Sequence, residues 1–235
     1  MTSAGNLMLQ QLGVNGFSPL SLTPFLWLDA ADTATISATG GLVDSWADKS
    51  GNGNSATGIT TQRPTTGATT QNGHNVIDFG GTQYLTLTST VSIASGGPQT
   101  VWVVVKKQAV ANYSVPLSGG GSGEYINLSV SSSSGTAAAS RNAATPLSPS
   151  VTVNAWHTFC LYDSGASETM YADGTGGTPL SAAYGAMSWQ RIGYYTSAGF
   201  FLKGNIAEII IMKAAASAQQ LIDVQAYLKA KWSTP

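Results

Sequence analysis

From Pro24 onward the apolar residues come in short runs, each closed by a cluster of Gly, Asn, Asp or Ser. Runs of this length, rich in β-branched and aromatic residues and bounded by turn formers, suit strands and are too short for helices. Nine segments stand out: Phe25–Asp29, Val76–Phe79, Tyr84–Thr88, Thr100–Lys106, Tyr125–Val130, Trp156–Tyr162, Thr169–Ala172, Gln190–Tyr195 and Asn205–Met212. In Tyr84-Leu-Thr-Leu-Thr and Tyr125-Ile-Asn-Leu-Ser-Val the apolar residues alternate, as when one sheet face meets a core and the other meets solvent. Val101-Trp-Val-Val-Val and Ile209-Ile-Ile-Met are continuous, which predicts central strands covered on both faces. Segments such as Ser118–Gly123 and Ser131–Ala144, made of Gly, Ser, Thr and Ala, read as loops. Only the C-terminal stretch has helical spacing: Ser217 as N-cap, Gln220 three residues on, then Leu221, Val224, Leu228 and Trp232 before Pro235.

The 235 residues suit one domain, from 22 to 235, preceded by an arm over 1–21 that has no sustained period. Within the arm, Leu7, Leu9, Leu12 and Phe17 are the residues that could dock on a neighbouring subunit. Ten Lys+Arg against eleven Asp+Glu leave no basic surface for phosphate backbones or anionic lipid, so neither nucleic acid nor membrane is an expected partner. Cys160 is the only cysteine, which excludes an intramolecular disulfide and a multi-cysteine zinc site. The first charged residue is Asp29, and Pro19 and Pro24 interrupt the apolar stretch from Phe17 to Leu28. A signal peptide and a membrane span are therefore not expected.

Acid–base glycoside hydrolysis needs two carboxylates roughly 5–10 Å apart across one cleft. Glu124, Glu168 and Glu208 each stand alone, and the close pairs Asp29/Asp32 and Asp44/Asp48 lie at strand ends, where Asp caps backbone amides. His74 and His157 are the only histidines, and no Gly-x-Ser-x-Gly elbow presents a serine. No catalytic residue is expected. Asp48, Ser50 and Asn52, followed by Asn54, alternate oxygen-bearing side chains on a glycine-bent loop, like the first half of a Ca²⁺ loop. Ile59 stands where a helix-loop-helix site needs its bidentate glutamate, so the same residues also read as a plain cluster of Asx turns. Beyond that Ca²⁺ option no cofactor is expected. Tyr194-Tyr195-Thr-Ser-Ala-Gly-Phe200-Phe201 reads as a hairpin whose adjacent rings point to opposite faces. With Trp189 on the run before it, these four aromatics are the candidates for stacking on a sugar or anchoring a protein contact.

Once the strands are placed, the chain resembles the concanavalin A-like (laminin-G-like) jelly-roll superfamily over residues 22 to 233. The resemblance rests on Phe25-Leu-Trp-Leu-Asp-Ala-Ala-Asp, Val43-Asp-Ser-Trp-Ala-Asp-Lys-Ser-Gly-Asn-Gly-Asn, Arg63-Pro-Thr and Asn75-Val-Ile-Asp-Phe-Gly-Gly with Tyr84-Leu. It also rests on Gly204-Asn-Ile-Ala-Glu-Ile-Ile-Ile-Met followed by the helix ending at Trp232. It implies an all-β fold, a two-sheet antiparallel jelly-roll sandwich with one C-terminal α-helix. The acid motif of the hydrolytic members has no matching positions, and Glu208 is expected to be structural, bonding backbone groups beneath the helix.

Modules of this kind are similar to those of bacteriophage virion proteins. The first expectation is accordingly a non-enzymatic virion surface protein, made in the host cytoplasm. It would be a capsid decoration or accessory head protein that docks on capsid or other virion proteins and forms a homo-oligomer such as a trimer. The alternative is a carbohydrate-binding adhesion module that recognises a glycan.

Overall fold

The computed structural model describes residues 16–108, 114–121, 123–130, 134–141, 146–181, 185–196 and 199–235. Leu7, Leu9 and Leu12 lie outside the described residues.

Eight of the nine expected strands are present as single strands, and the ninth, Gln190–Tyr195, is broken at Gly193 into Met187–Ile192 and Tyr194–Tyr195, the second of which pairs only with Phe200–Phe201. Outside that hairpin the strands pack as two antiparallel layers. In one, Lys203–Met212 is central: Leu26–Asp29 and His74–Gly80 share one of its edges and Gln99–Lys107 takes the other. Trp156–Asp163 and Ser167–Ala172 extend this layer beyond Gln99–Lys107. The second layer runs from Ser134–Arg141 through Glu124–Val130, Ser114–Gly119, Met187–Ile192 and Leu85–Ile93 to Ala56–Gly58 and Leu42–Trp46. Strand Thr65–Gln71 pairs with His74–Gly80 and touches Leu42, so the two layers are hydrogen-bonded together along one side.

The continuous apolar runs do what continuity predicts. Val101, Val103 and Val105 point into the core between the layers, while Trp102 and Val104 point the other way, into a second core under the helix. Ile206, Ile209 and Ile211 likewise face the first core, and Ala207, Ile210 and Met212 the second. Because successive strand side chains alternate, a strand can be apolar throughout only if something covers both faces. Here that cover is the helix Ala218–Trp232.

The helix begins where the sequence places it. Ser217 Oγ accepts from the Gln220 amide at 3.2 Å, and Gln220 Oε1 accepts from the Ser217 amide at 2.8 Å, a complete capping box. Val224, Leu228 and Trp232 are buried against the sheet. At the other end the turn between Thr65–Gln71 and His74–Gly80 supplies the caps: Gln71 Nε2 donates to the Trp232 carbonyl and Asn72 Nδ2 to that of Lys231. Those carbonyls have no partner within the helix, so the hairpin holds its end in place.

Two loop assignments need correction. Residues 134–141, inside the segment read as loop, form a strand, and Ala137, Ala138 and Ala139 are buried. Ser118 and Gly119 close the buried strand Ser114–Gly119. In both, small side chains let the backbone lie against the core; burial, not β-propensity, makes the strand. The chain is packed ahead of residue 22: Phe17 lies 5.6 Å from the Tyr227 ring, and Pro19–Leu22 is a 3₁₀ turn with Leu22 buried.

Candidate functional site

The hairpin at residues 194–201 forms as expected, with Tyr194 opposite Phe201 and Tyr195 opposite Phe200. Gly193 sets it up. Its φ of +85° is a backbone conformation that L side chains rarely adopt, and a Cβ there would lie 2.5 Å from the Phe79 ring. The Gly193 amide donates to the Pro116 carbonyl, which ties the first arm to the body, and the Gly193 carbonyl accepts from the Leu202 amide, which joins the two arms at their base.

The five aromatics proposed from sequence separate into two groups. Tyr194 and Phe201 stack at 4.3 Å with planes 21° apart, and Tyr84 closes on Tyr194 at 5.1 Å. All three rings are half-buried, and together they make one continuous aromatic surface. Phe200 is half-buried too. Trp189 and Tyr195 do not belong to that surface, which corrects the sequence reading. Trp189 is fully buried in the sandwich core and donates its indole N–H to Gln99 Oε1 at 2.8 Å. Tyr195 is 5% exposed, packs on Tyr125 at 4.6 Å and accepts from the Gly123 amide. Alternation decides this: Tyr194 and Tyr195 point to opposite sides, and only one side is open.

Tyr84 is the ring that sequence reasoning missed. Its signal was there, since Leu85 and Leu87 point inward and leave Tyr84 on the opposite face. Beside it, Gln83 Oε1 accepts from the Gly80 amide and Gln62 Nε2 donates to the Thr82 carbonyl, while the exposed Lys203 side chain lies along Gly81. Polar side chains thus gather on the turn that leads into Tyr84.

The carboxylates are engaged elsewhere. Glu208, 1% exposed, accepts from four side chains: Trp27 Nε1 at 2.7 Å, Tyr227 Oη at 2.9 Å, Lys231 Nζ at 2.8 Å and Trp232 Nε1 at 2.7 Å. It does lie beneath the helix, but it bonds side chains and not the backbone groups expected from sequence. Burial pushes its carboxyl above the usual range. Burial and the neighbouring Glu208 together push the Tyr227 phenol far up. Asp29 accepts from Lys49 and Lys231. Asp32 also pairs with Lys49, whose hydrogen bond holds its carboxyl below the ordinary value. Asp44 accepts from the Thr39 hydroxyl and pairs with Arg63, and these two neighbours keep its carboxyl low. Glu124 accepts from the amide and hydroxyl of Ser188. Among the described residues, none of these groups is paired with a second carboxylate across an open cleft.

Asp48, Ser50 and Asn52 come together, but as a self-contained cluster. Asp48 Oδ1 accepts from the Trp27 and Ser50 amides, and Oδ2 from the Ser50 hydroxyl and the Asn54 amide. Asn52 Nδ2 points at the Pro24 and Phe25 carbonyls. N–H and O–H groups thus already face the oxygens a cation would need, and among the described residues no three His, Cys, Asp or Glu side chains converge on a metal-sized site. His157 is a tie between strands, with Nδ1 2.6 Å from Asp173 Oδ2 and Nε2 2.8 Å from the Thr152 carbonyl.

No protein-family model matches the sequence, and no curated protein matches it. Solved structures do share the fold. The binding domain of botulinum neurotoxin serotype G superposes with a TM-score of 0.62 at 12% identity, over 90% of this chain and 54% of that one. Domain 4 of a GH43 extracellular arabinanase from Geobacillus stearothermophilus, in complex with arabinotriose, gives 0.60 at 13% identity over 86% of this chain and 98% of that one. The Trypanosoma rangeli sialidase in complex with sialic acid gives 0.59 at 13% identity, over 87% of this chain and 33% of that one.

The fold is a two-sheet antiparallel jelly-roll sandwich with one C-terminal helix. It spans about half the length of the toxin domain and nearly all of the arabinanase domain. Among the described residues of this jelly roll no helix is long and apolar enough to cross a membrane.

Proposed function

We propose that this jelly roll is a saccharide-binding module that works by attachment and not by bond cleavage. The observation that carries the reading is the half-buried cluster of Tyr84, Tyr194 and Phe201. Flat rings offer an apolar, quadrupolar face to the C–H face of a pyranose or furanose. Gln62, Gln83 and Lys203, gathered at the turn that leads into Tyr84, offer hydrogen-bond partners to its hydroxyls. Gly193, Tyr195 and Leu202 are buried, which holds the arms that carry Tyr194 and Phe201, so little ordering of these two rings is left for a ligand to impose. The arabinanase domain that holds arabinotriose supports the same reading, since this chain covers 98% of it.

A glycan array followed by calorimetric titration of the best hit tests the proposal. Saturable binding that falls at least tenfold in Tyr194→Ala and in Phe201→Ala, with the thermal midpoint changed by only a few degrees, is the expected result. Binding indifferent to both substitutions would move the site elsewhere, and silence across the array would overturn the saccharide reading. Capsid decoration, the first expectation from sequence, would use the sandwich as a docking body within a homo-oligomer; co-sedimentation with capsid shells tests it separately.

A further inference from the structure

A groove of about 280 Å³ runs between the C-terminal helix and the outer face of the first layer. Trp102 and Tyr171 bring rings to it, Leu221 and Ile222 bring aliphatic side chains, and no Asp, Glu, Lys or Arg is among its lining residues. Ile222 is 61% exposed at its lip, an unusual position for a large aliphatic side chain beside an open apolar surface.

The polar groups of the lining carry no charge. Burial raises both the Cys160 thiol and the Tyr171 phenol, so both keep their protons at neutral pH. The third group is the Gln225 carboxamide. Its Nε2 is buried and has no hydrogen-bond partner among the described residues, a donor left unsatisfied at real cost. The amide lies over Gly174, where a Cβ would sit 3.1 Å from Gln225 Cγ and 4.0 Å from Nε2.

These features select an occupant by chemistry. A sugar brings several hydroxyls that each need a partner once buried, and an ion needs a counter-charge. The groove supplies neither. A volume just under the roughly 300–1,000 Å³ of drug-sized sites suits a smaller molecule. A protein partner would have to spread over about 800 Å². Its contact would then run onto Gln219, Asp223 and Lys229 of the same helix, and charged residues are depleted from interface cores.

We infer that this groove is a second ligand site, for a small uncharged carbonyl compound. Its oxygen accepts from Gln225 Nε2, and its apolar body lies against Trp102, Tyr171 and Leu221. Tyr84, Tyr194 and Phe201 are not among the lining residues, so the site stands apart from the aromatic hairpin and does not rest on the saccharide reading.

Acetophenone and ethylbenzene test it, the same ring with and without the oxygen. Calorimetry on the full chain should show saturable binding of acetophenone about tenfold tighter than that of ethylbenzene. Gln225→Leu should erase the difference and leave ethylbenzene bound as before. Cys160 is the single thiol and lines the groove, so bound acetophenone should also slow its reaction with a disulfide reagent. Tyr194→Ala should change none of these readings. Equal binding of the two compounds to the parent chain would overturn the carbonyl assignment without recourse to any variant. Absence of binding by either, or binding that leaves the Cys160 rate unchanged, would overturn the site.

Discussion

Asp29 and Glu208 sit directly opposite each other on neighbouring antiparallel strands, and the Lys231 ammonium lies 2.6 Å from the first carboxylate and 2.8 Å from the second. Like charges directly opposite in a sheet repel. Lys231, carried by the last turn of the helix, makes the pair tolerable, and in doing so fixes the helix to the sheet.

Lys231→Met should therefore be far more costly than loss of an ordinary surface ion pair. Removing one partner from a buried network leaves an uncompensated charge, a penalty of about 3–5 kcal/mol, against about 0–1 kcal/mol for an exposed pair. Urea unfolding of Lys231→Met measures the difference. A loss below about 1 kcal/mol would show that the lysine is a bystander.

Gly193→Ala tests the hinge of the aromatic hairpin. The positive φ and the close approach to Phe79 both oppose a methyl group. A destabilisation of about 2–4 kcal/mol is expected by thermal unfolding, with loss of any glycan binding that Tyr194 and Phe201 support. An unchanged thermal midpoint would mean that the hairpin moves aside at little cost.

The 48–54 loop can be tested with metal alone. Asp48 accepts four hydrogen bonds within its own fold, so millimolar Ca²⁺ should leave the thermal midpoint unchanged. Asp48→Ala should lower stability by about 2–4 kcal/mol, with several amides left unmatched. A rise in midpoint with Ca²⁺ that disappears in Asp48→Ala would instead show that the loop opens to bind a cation.

Lys107 gives a pH dependence of definite sign. It is 7% exposed, its ammonium donates to the Leu128 carbonyl, and burial lowers its pKa to about 8. Between about pH 8 and the ordinary lysine value the unfolded chain holds the proton and the folded chain has released it, so stability attributable to this residue rises with pH across that window. Cys160 and Tyr171, whose burial raises them, act in the opposite sense. Subtracting the urea profile of Lys107→Met from that of the parent protein cancels those contributions. The difference should grow in favour of the parent by about 1–2 kcal/mol after allowance for solvent screening. A flat difference would contradict the assignment.

Much of the architecture was legible along the chain. Val101–Val105 and Ile209–Met212 announced strands covered on both faces, and Ser217 with Gln220 announced the start of the helix that covers them. The strand at 134–141 was not legible, because Ser-Gly-Thr-Ala-Ala-Ala carries no β-branched or aromatic pattern apart from Thr136. Its pairing with Glu124–Val130 places it in the sheet. The aromatic site was half legible. The hairpin was visible, yet Trp189 and Tyr195 had to be removed from it and Tyr84 added, since which face is open depends on what the other sheet covers.

What the sequence alone determined is the part governed by short-range periodicity: two-residue alternation, turn formers and a capping box commit the chain to sheets closed by one helix. The tertiary structure decided what individual polar and aromatic side chains do. Glu208 meets Trp27 from a position 181 residues away, and Tyr84 meets Tyr194 across more than a hundred. No local rule specifies such partners, because they become neighbours only when burial of the two cores brings distant strands into register.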